Sequence, residues 1–510
     1  MTTTAPPSET IAVPTLIGGN WQHPEAAETT AVHNPSLGRV IARTPLCGAD
    51  VADAAVRAAA DALPGWAETP AVERARVMFR YRELLEGSRD ELVALVTREH
   101  GKTLAESRAE VQRGVEMVEY ACSVPALLAG QTFPQLARNV DGQTERHPVG
   151  VCVGITPYNF PNMVPLWMFP IALACGNTFV LKPSEKVPLS AVRLGELLVE
   201  AGLPPGMFNL VHGGKAMVDA LLTHELVAAV SFVGSTAIAK HVYTTATAHG
   251  KRVQAAGGAK NHLIVMPDAD LDLTVKALAA SAYGCAGQRC MAGSVALAVG
   301  NVGDALVDRL VDFAGSIDTA PTDGNPDAGM GPLISAEHRG RVADALDTAI
   351  DEGAEVPLDG RSFATTDPAD DQPFLLGPSV IDRVTTDMSA WKQEIFGPVL
   401  SVVRAATLDD ALAVGRACPY GNGASIFTRD GHAARAFRRH FNAGMIGVNV
   451  GVPAPMAWLP FTGWNQSFFG DLHIQGTEGI AFYTRQKTTL TRWFEPTGDT
   501  HDDPVWQSKP

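Results

Sequence analysis

Cys290 is the residue whose neighbours most favour covalent chemistry. It lies in the segment 287–294, GQRCMAGS, where Gly287 and Gly293 allow close backbone approach on both sides of the thiol. A single cysteine is more often a small buried apolar residue than a nucleophile. Arg289 favours the nucleophile, because an adjacent cation lowers a thiol pKa and stabilises the thiolate. Such a thiol forms covalent thioester intermediates.

A turn typical of phosphate binding occurs in the segment 231–236, SFVGST. Gly234 joins a strand to a helix that Ser235 or Thr236 can cap, and the free N–H groups at the start of that helix favour an anion such as a pyrophosphate. A turn with one glycine equally fits an ordinary strand–helix connection.

Lys182 and Glu185 stand at the end of another strand of the same set. One interpretation is that they are solvated residues at a strand end. The other is that they hydrogen-bond an adenosine ribose, because ligands bind at strand carboxyl ends in open α/β sheets. Glu185 would repel a 2′-phosphate, which predicts NAD rather than NADP. The nearby cations of Lys182 and Lys186 weaken that discrimination.

Composition excludes several classes of partner. The 510 residues carry 40 basic against 55 acidic side chains, a net charge of −15, which argues against nucleic acid. Seven scattered cysteines without a CxxC pair predict neither a disulfide framework nor a thiolate metal site. The N-terminus lacks signal-peptide features, and no stretch approaches the ~18 apolar residues that span a bilayer. We therefore predict a cytoplasmic protein with no metal and no membrane partner.

The elements around these residues alternate as they do in parallel sheets. Apolar residues in 51–129 follow helical spacing. From residue 149, short apolar strands alternate with helices, which predicts a parallel sheet with helices on its faces. The predicted strands are 151–155, 179–182, 208–211 and 229–233, and then 295–299, 424–427 and 445–450 in a second set. Residues 480–490 alternate apolar with polar, which predicts an edge strand that pairs with a neighbouring subunit.

Five motifs in fixed order carry a family resemblance. They are TPYNFP at 156–161, KPSE at 182–185, FVGS at 232–235, GQRC at 287–290 and EIFGP at 394–398. Together they resemble the aldehyde dehydrogenase superfamily over nearly the whole chain. The resemblance implies an α/β fold with a Rossmann-type NAD-binding domain, an α/β catalytic domain and a small β oligomerisation element.

The same resemblance implies domain boundaries and an assembly. The NAD-binding domain would comprise 11–130 and 150–258, and the catalytic domain 259–475. The oligomerisation strands would lie in 131–149 and 476–495, with a disordered tail at 1–10 and a C-terminal tail at 496–510. A homo-oligomer follows, namely a tetramer built as a dimer of dimers.

Residue roles also follow from the resemblance. Cys290 would attack the aldehyde carbon, and Asn159 with the backbone N–H of Cys290 would form the oxyanion hole. The residues that would bind NAD are Thr156, Tyr158, Lys182, Glu185, Lys186, Gly234, Ser235, Gly257, Glu394 and Phe396.

A missing carboxylate distinguishes this chain from the hydrolytic members. Those members carry ExGGK, in which the Glu activates water, whereas residues 254–260 here read QAAGGAK, so that Ala255 or Ala256 replaces the Glu. Loss of a general base costs ~10²–10⁴-fold in the step it serves, but a thiol needs less activation than water. The stretch resembles the CoA-acylating methylmalonate-semialdehyde dehydrogenases, which implies CoA as co-substrate and a place in valine catabolism.

That subfamily acts on an aldehyde that bears a carboxylate. Arg113 and Arg289 are the candidates to bind it, because a guanidinium matches a carboxylate in shape and charge. From its pattern alone, Arg113 also fits an exposed helix residue with an ion-pair partner. The implied reaction converts methylmalonate or malonate semialdehyde into propionyl-CoA or acetyl-CoA with loss of CO₂. Phe160, Phe461 and Phe468 are candidates to line the acyl pocket.

Two alternatives stay open on the sequence. A hydrolytic aldehyde dehydrogenase for another short semialdehyde would use a different base, for which His262 is a candidate. A non-catalytic binding protein on this scaffold need not keep Cys290, Asn159 and Glu394 together.

Overall fold

Two large sheets dominate the computed structural model, which describes residues 10–363 and 372–494. The predicted α/β class is confirmed. The tails predicted at 1–10 and 496–510 lie outside the described residues, except for residue 10. Every helix in the described ranges is too short or too polar to cross a bilayer.

The strands are short, as expected for a chain whose apolar runs are interrupted by frequent turns. In chain order they are β1 (Ile11–Ala12), β2 (Thr15–Ile17), β3 (Asn20–Gln22), β4 (Thr29–Asn34), β5 (Arg39–Pro45), β6 (Thr132–Ala137), β7 (Val140–Pro148), β8 (Val151–Ile155), β9 (Thr178–Lys182), β10 (Phe208–Leu210), β11 (Val227–Val233), β12 (Arg252–Ala256), β13 (Asn261–Val265), β14 (Gly293–Val299), β15 (Glu355–Leu358), β16 (Ser379–Asp382), β17 (Val399–Ala405), β18 (Tyr420–Gly421), β19 (Gly423–Phe427), β20 (Met445–Val448), β21 (Trp464–Asn465), β22 (Phe468–Phe469) and β23 (Thr484–Arg492).

The helices include the long N-terminal ones that the apolar spacing of 51–129 predicts. They are α1 (Ala49–Glu68), α2 (Ala71–Gly87), α3 (Arg89–His100), α4 (Leu104–Cys122), α5 (Val124–Leu127), α6 (Met163–Ala174), α7 (Leu189–Glu200), α8 (Lys215–Thr223), α9 (Thr236–Ala248), α10 (Leu271–Tyr283), α11 (Gly303–Gly315), α12 (Ala336–Asp351), α13 (Ser389–Lys392), α14 (Leu408–Ala417), α15 (Gly431–His440) and α16 (Gly476–Phe482). Short 3-10 turns occupy Gly284–Gly287 and Gly360–Phe363.

The first large sheet has the strand order β22-β12-β11-β8-β9-β10-β2-β3. Its five strands from β12 to β10 are parallel. Both β8 and β9 are buried along their whole length, because helices cover the two faces of the sheet. The chain runs from β8 outward to β9 and β10 and then returns to place β11 on the other side of β8. That reversal marks the point where open α/β sheets bind ligands.

The second large sheet has the order β15-β16-β17-β14-β13-β19-β20, and its strands are parallel except for β15. The strand β13 follows Lys260 directly, and β14 begins three residues after Cys290. The nucleophile candidate is therefore on the connection that enters the middle of this sheet.

The terminal strand belongs to a third, antiparallel sheet of order β23-β7-β6. The prediction of a strand over 480–490 was wrong at its beginning, since residues 476–482 form α16. Ile480 and Phe482 are buried in the core of the first sheet, so their apolar character reflects helix packing. The edge of β23 away from β7 has no partner strand among the described residues. The predicted domain boundaries stay a prediction.

Candidate active site

A cavity of about 960 Å³ opens at the reversal point of the first sheet and extends to the second sheet. It brings together residues from loops that follow β8, β9, β11 and β12, and from the EIFGP motif. Of the residues predicted to act, those that line it are Thr156, Tyr158, Asn159, Lys182, Glu185, Gly234, Ser235, Gly257, Cys290, Glu394 and Phe396. Lys186 is not part of the lining, and its ammonium lies 5.8 Å from the ring centre of Tyr158.

One end of this cavity has the charge pattern expected for a ribose site. Lys182 Nζ donates to Glu185 Oε2 at 3.1 Å. Burial alone would raise the pKa of Glu185, but the Lys182 ammonium, the Lys186 ammonium and its hydrogen bonds outweigh burial and lower it. The carboxylate is therefore ionised at neutral pH and repels a 2′-phosphate.

The turn at Gly234 leads into a helix whose first turn has no side-chain cap. Ser235 occupies the N-cap position of α9, but its side chain makes no capping hydrogen bond. Thr236 does not cap the helix either, because its hydroxyl accepts from the Gly258 N–H at 2.9 Å and donates to the Gln466 carbonyl. The expectation that one of these hydroxyls caps α9 was wrong, and the open helix end suits a pyrophosphate.

An orphaned hydroxyl supports the same fit. Thr156 Oγ1 is buried in the cavity wall and has no hydrogen-bond partner among the described residues. A buried polar atom without a partner is rare unless a ligand or water satisfies it. The open helix end, the Lys182–Glu185 pair and this hydroxyl together fit a dinucleotide such as NAD.

The nucleophile loop has an unusual backbone. Cys285 and Ala286 both have positive φ, 53° and 51°, and Gly287 follows at 70°. A Cβ at Gly287 would lie 1.9 Å from the Gly397 carbonyl, so glycine is required there. Glu106, on α4, accepts a hydrogen bond from the Cys285 N–H at 2.6 Å. This contact from a distant helix stabilises the left-handed turn that leads to Cys290.

Three amide side chains fix the backbone around the thiol. Asn261 Nδ2 and Asn422 Nδ2 donate to the Cys290 carbonyl at 2.8 and 2.9 Å, and Asn159 Nδ2 donates to the Gln288 carbonyl at 3.1 Å. Asn159 is thus held beside the nucleophile loop, as an oxyanion donor must be. Asn422 carries no motif or spacing signal, and Asn261 is recognisable only from the AKNH run at 259–262.

The surroundings of the Cys290 thiol favour its protonated form. Burial raises the pKa of Cys290 to about 12, and the Glu394 carboxylate adds to that increase. The Arg289 guanidinium lowers the pKa as expected, but its effect is outweighed. Burial therefore outweighs the preference for thiolate that Arg289 was expected to give, although Arg289 acts in the expected direction.

A second cavity, of about 190 Å³, reaches Cys290 from the opposite side. Both arginines predicted to bind a carboxylate line it, as do Phe160 and Phe461. Phe468 does not, because it pairs with Ala256 in the first sheet. Trp167, Met163 and Met291 complete an apolar wall that sequence spacing did not indicate.

The two arginines differ in their contacts. Arg113 NH1 donates to Glu116 Oε2 at 2.9 Å, so the ion pair expected at helical spacing exists, although the guanidinium also borders the cavity. Arg289 NH2 donates to the carbonyls of Ala280 and Ser281 near the end of α10, which leaves its buried Nε without a partner among the described residues.

The two alanines considered for the position of the missing base lie on opposite faces of β12. Ala255 and Ala256 alternate on β12, and Ala255 faces the core between the first sheet and α1, α8 and α9. Ala256 faces the cluster against which Cys290 packs. Of the two alanines, Ala256 is therefore the one on the same side of β12 as Cys290. His262, the alternative base, lines neither cavity; it is buried and accepts from Trp391 Nε1 at 3.1 Å, and burial lowers its pKa to about 3.

This constellation defines a class of protein. The aldehyde dehydrogenase family model matches residues 21–489, and the chain belongs to that family. It is similar to malonate-semialdehyde dehydrogenase 2 of Geobacillus kaustophilus (strain HTA426), with 50% identity over 480 residues that cover 94% of this chain and 98% of the relative.

Two solved structures are similar over almost the whole chain. Methylmalonate-semialdehyde dehydrogenase from Oceanimonas doudoroffii has a TM-score of 0.92 at 47% identity, covering 95% of this chain and 99% of the other. A Sinorhizobium meliloti 1021 protein complexed with NAD has a TM-score of 0.94 at 44% identity, covering 97% and 100%. The fold and the dinucleotide cavity are therefore those of the family.

Proposed function

We propose that this protein is an NAD-dependent, CoA-acylating dehydrogenase of malonate and methylmalonate semialdehyde. The observation that carries the proposal is Ala256, which leaves Cys290 without the carboxylate that would activate water. The names of the relatives support the substrate class, and the NAD complex of a structural neighbour supports the cofactor. A role in valine catabolism would follow from methylmalonate semialdehyde as substrate.

In the first half-reaction, the Cys290 thiol releases its proton to solvent and the sulfur forms a bond to the aldehyde carbon; one proton is taken up again when the enolate of the second half-reaction is protonated. The oxyanion that forms accepts hydrogen bonds from Asn159 Nδ2 and the Cys290 N–H, which stabilises charge that is absent from the aldehyde. NAD, when bound, supplies the hydride acceptor. Lys182, Glu185 and Ser235 would hold its nucleotide end, and Glu394 and Phe396 its nicotinamide end.

In the second half-reaction, the acyl group leaves Cys290. The thioester carries a carboxylate β to its carbonyl, so the C–C bond can break to release CO₂ and an enolate, which the same oxyanion donors stabilise before protonation. CoA then attacks the remaining thioester and gives acetyl-CoA or propionyl-CoA. CoA reaches Cys290 through the larger cavity, because the smaller one is occupied by the acyl group.

The substrate carboxylate is bound, in this proposal, by Arg113 and Arg289 in the smaller cavity. Both guanidiniums border a pocket whose other walls are mainly apolar, so a carboxylate that enters it loses water and gains most from charged donors. The buried Nε of Arg289 is a donor still available for this bond.

Product analysis with and without CoA tests the reaction. With NAD, malonate semialdehyde and CoA, we expect stoichiometric acetyl-CoA, CO₂ and NADH. Without CoA, we expect one equivalent of NADH per site and then slow turnover. Rapid release of free acid in the absence of CoA would instead establish the hydrolytic alternative, and absence of any NADH burst would favour a binding protein.

Replacement of Arg113 by Ala tests the substrate class. We expect kcat/KM for malonate semialdehyde to fall by about 10–100-fold, the value of a charged hydrogen bond, and kcat/KM for propanal to stay within about 3-fold. Arg289→Ala should also lower kcat/KM more for malonate semialdehyde than for propanal, with an added loss for both aldehydes because Arg289 lowers the pKa of Cys290. The matched control is Arg108→Ala, which removes a largely exposed arginine from the same helix. Equal losses for both aldehydes would contradict carboxylate binding by these residues.

We also propose a cytoplasmic homotetramer built as a dimer of dimers. The open edge of β23 supports pairing with a second copy of the chain, since an unpaired strand edge invites another strand. All seven cysteines are free thiols, which supports a reducing compartment.

A further inference from the structure

Glu394 presents a carboxylate oxygen to the larger cavity. Its Oε1 accepts a hydrogen bond from the Ala259 N–H at 3.1 Å, whereas no donor among the described residues reaches Oε2. A Cβ at Gly258 would lie 2.5 Å from Oε2, so only glycine leaves this oxygen room beside the chain. The side chain is half-buried and borders the same cavity as Cys290.

The other carboxylates in the described lining of this cavity are already paired. Glu185 accepts from Lys182, and Asp219 accepts from Lys215 and His241, at the nucleotide end. Of these three carboxylates, only Glu394 raises the pKa of the Cys290 thiol by its charge. It is therefore the acidic group that a thiol arriving at Cys290 would meet.

We propose that Glu394 accepts the proton of the CoA thiol during acyl transfer from Cys290, an inference that rests on the proposed function. Its predicted contact with the nicotinamide ribose would then be one of two roles, taken in different half-reactions. Glu394 would then act as the general base toward the CoA thiol, as the Glu of the hydrolytic members does toward water.

The proton balance of the step is complete. The S–H bond of CoA breaks and its proton passes to Glu394 Oε2, while the sulfur forms a bond to the thioester carbon. The oxyanion accepts from Asn159 Nδ2 and the Cys290 N–H. When the intermediate collapses, the bond from that carbon to the Cys290 sulfur breaks, and Glu394 returns the proton to Cys290.

Electrostatics agree with this exchange. Burial raises the pKa of Glu394 to about 7, against the opposing Ala259 N–H and Lys260 ammonium, so it can both accept and release a proton near neutrality. Lys260, whose own pKa burial lowers to about 8, donates to the Gln393 carbonyl. The phenols of Tyr158 and Tyr420 also face Glu394, and burial raises the pKa of each.

The return of the proton matters because burial raises the pKa of Cys290 to about 12. A thiol with so high a pKa leaves slowly as a bare thiolate, since leaving ability in thiol exchange falls as that pKa rises. Protonation of the departing sulfur removes this obstacle. Glu394 is the described carboxylate placed to supply that proton.

Isotope exchange between acetyl-CoA and labelled CoA tests the proposal without NAD or aldehyde, so that ribose binding plays no part. We expect the wild-type protein to exchange label with a rate that falls below pH about 7, because protonated Glu394 cannot accept the thiol proton. Glu394→Gln should exchange at least about 10²-fold more slowly at saturating CoA and lose that pH inflection. Glu394→Asp should retain the inflection at a reduced rate.

Two controls separate the possible failures. Gln keeps an oxygen for the Ala259 N–H, and stoichiometric alkylation of Cys290 by iodoacetamide would show that the loop is intact. Glu337→Gln removes an exposed carboxylate from α12, which borders the same cavity, and should leave rate and pH profile unchanged. If Glu394→Gln exchanges label at the wild-type rate with the same pH dependence, the inference is overturned. It is also overturned if Glu394→Gln exchanges more slowly but its rate still changes near pH about 7. No exchange by the wild type would overturn the proposed CoA chemistry itself.

Discussion

Replacement of Cys290 by Ala is expected to lower NADH formation by a factor on the order of 10⁴ or more, because no other described thiol borders both cavities. The variant should also form no acyl-enzyme, which intact-mass measurement after mixing with NAD and semialdehyde without CoA would detect as the missing mass increase. Folding should persist, since the side chain is only half-buried and alanine is close in size.

Cys47→Ala is a suitable control for this variant, because Cys47 is a buried thiol in the core beside α1 that lines neither cavity. It should retain the activity and the acyl-enzyme mass of the wild type. An acyl adduct in Cys290→Ala would show that another nucleophile carries the acyl group.

Replacement of Glu110 by Ala is expected to cost about 3–5 kcal/mol of stability, because it leaves a fully buried ammonium without its counter-charge. Lys102 and Glu110 form an ion pair in which both side chains are 0% exposed. Glu110 Oε1 also accepts from the N–H groups of Asn162 and Met163 at the start of α6, at 2.9 and 3.1 Å. The midpoint of urea unfolding should therefore decrease strongly.

The effect should extend to activity, because Lys102 Nζ donates to the Asn159 carbonyl at 2.5 Å and so helps to place the oxyanion donor. Glu119→Ala is the matched control, since Glu119 lies on the same helix as Glu110 and its ion pair with Arg82 of α2 is only partly buried. Loss of that pair should cost less than about 1 kcal/mol. A Glu110→Ala protein as stable as that control would contradict a stabilising role for the pair.

Much of the fold follows from local pattern. Strands such as β8 and β9 are continuous apolar runs because both faces of a parallel sheet are buried, and their carboxyl ends must meet along one edge. The motifs that carry Asn159 and Lys182 stand at those carboxyl ends, and the structure brings both residues to one cavity. Cys290 and Glu394 reach the same cavity from segments that precede β14 and β17, which the strand pattern did not indicate.

What the sequence could not supply depends on register and distant contacts. The choice between Ala255 and Ala256 requires knowing which face of β12 meets Cys290, and a shift of one residue reverses that face. The hydrogen bond that the Cys285 N–H donates to Glu106 joins residues 179 positions apart, and no sequence spacing indicates it. The pKa of Cys290 likewise depends mainly on burial, which the sequence around Arg289 did not indicate.

Cys290 lines both cavities, and most other lining residues belong to only one of them. Substitutions in one cavity therefore leave most of the other cavity unchanged. The smaller cavity, proposed to hold the acyl group, is lined mainly by α4 and the loop 452–461. The larger cavity, proposed to hold NAD and CoA, is lined mainly by the loops of the first sheet, α12 and the EIFGP motif. Substitutions in the smaller cavity could admit a new side chain on the acyl group while leaving oxidation and release intact. A family with this plan can therefore diversify its substrates without rebuilding its chemistry.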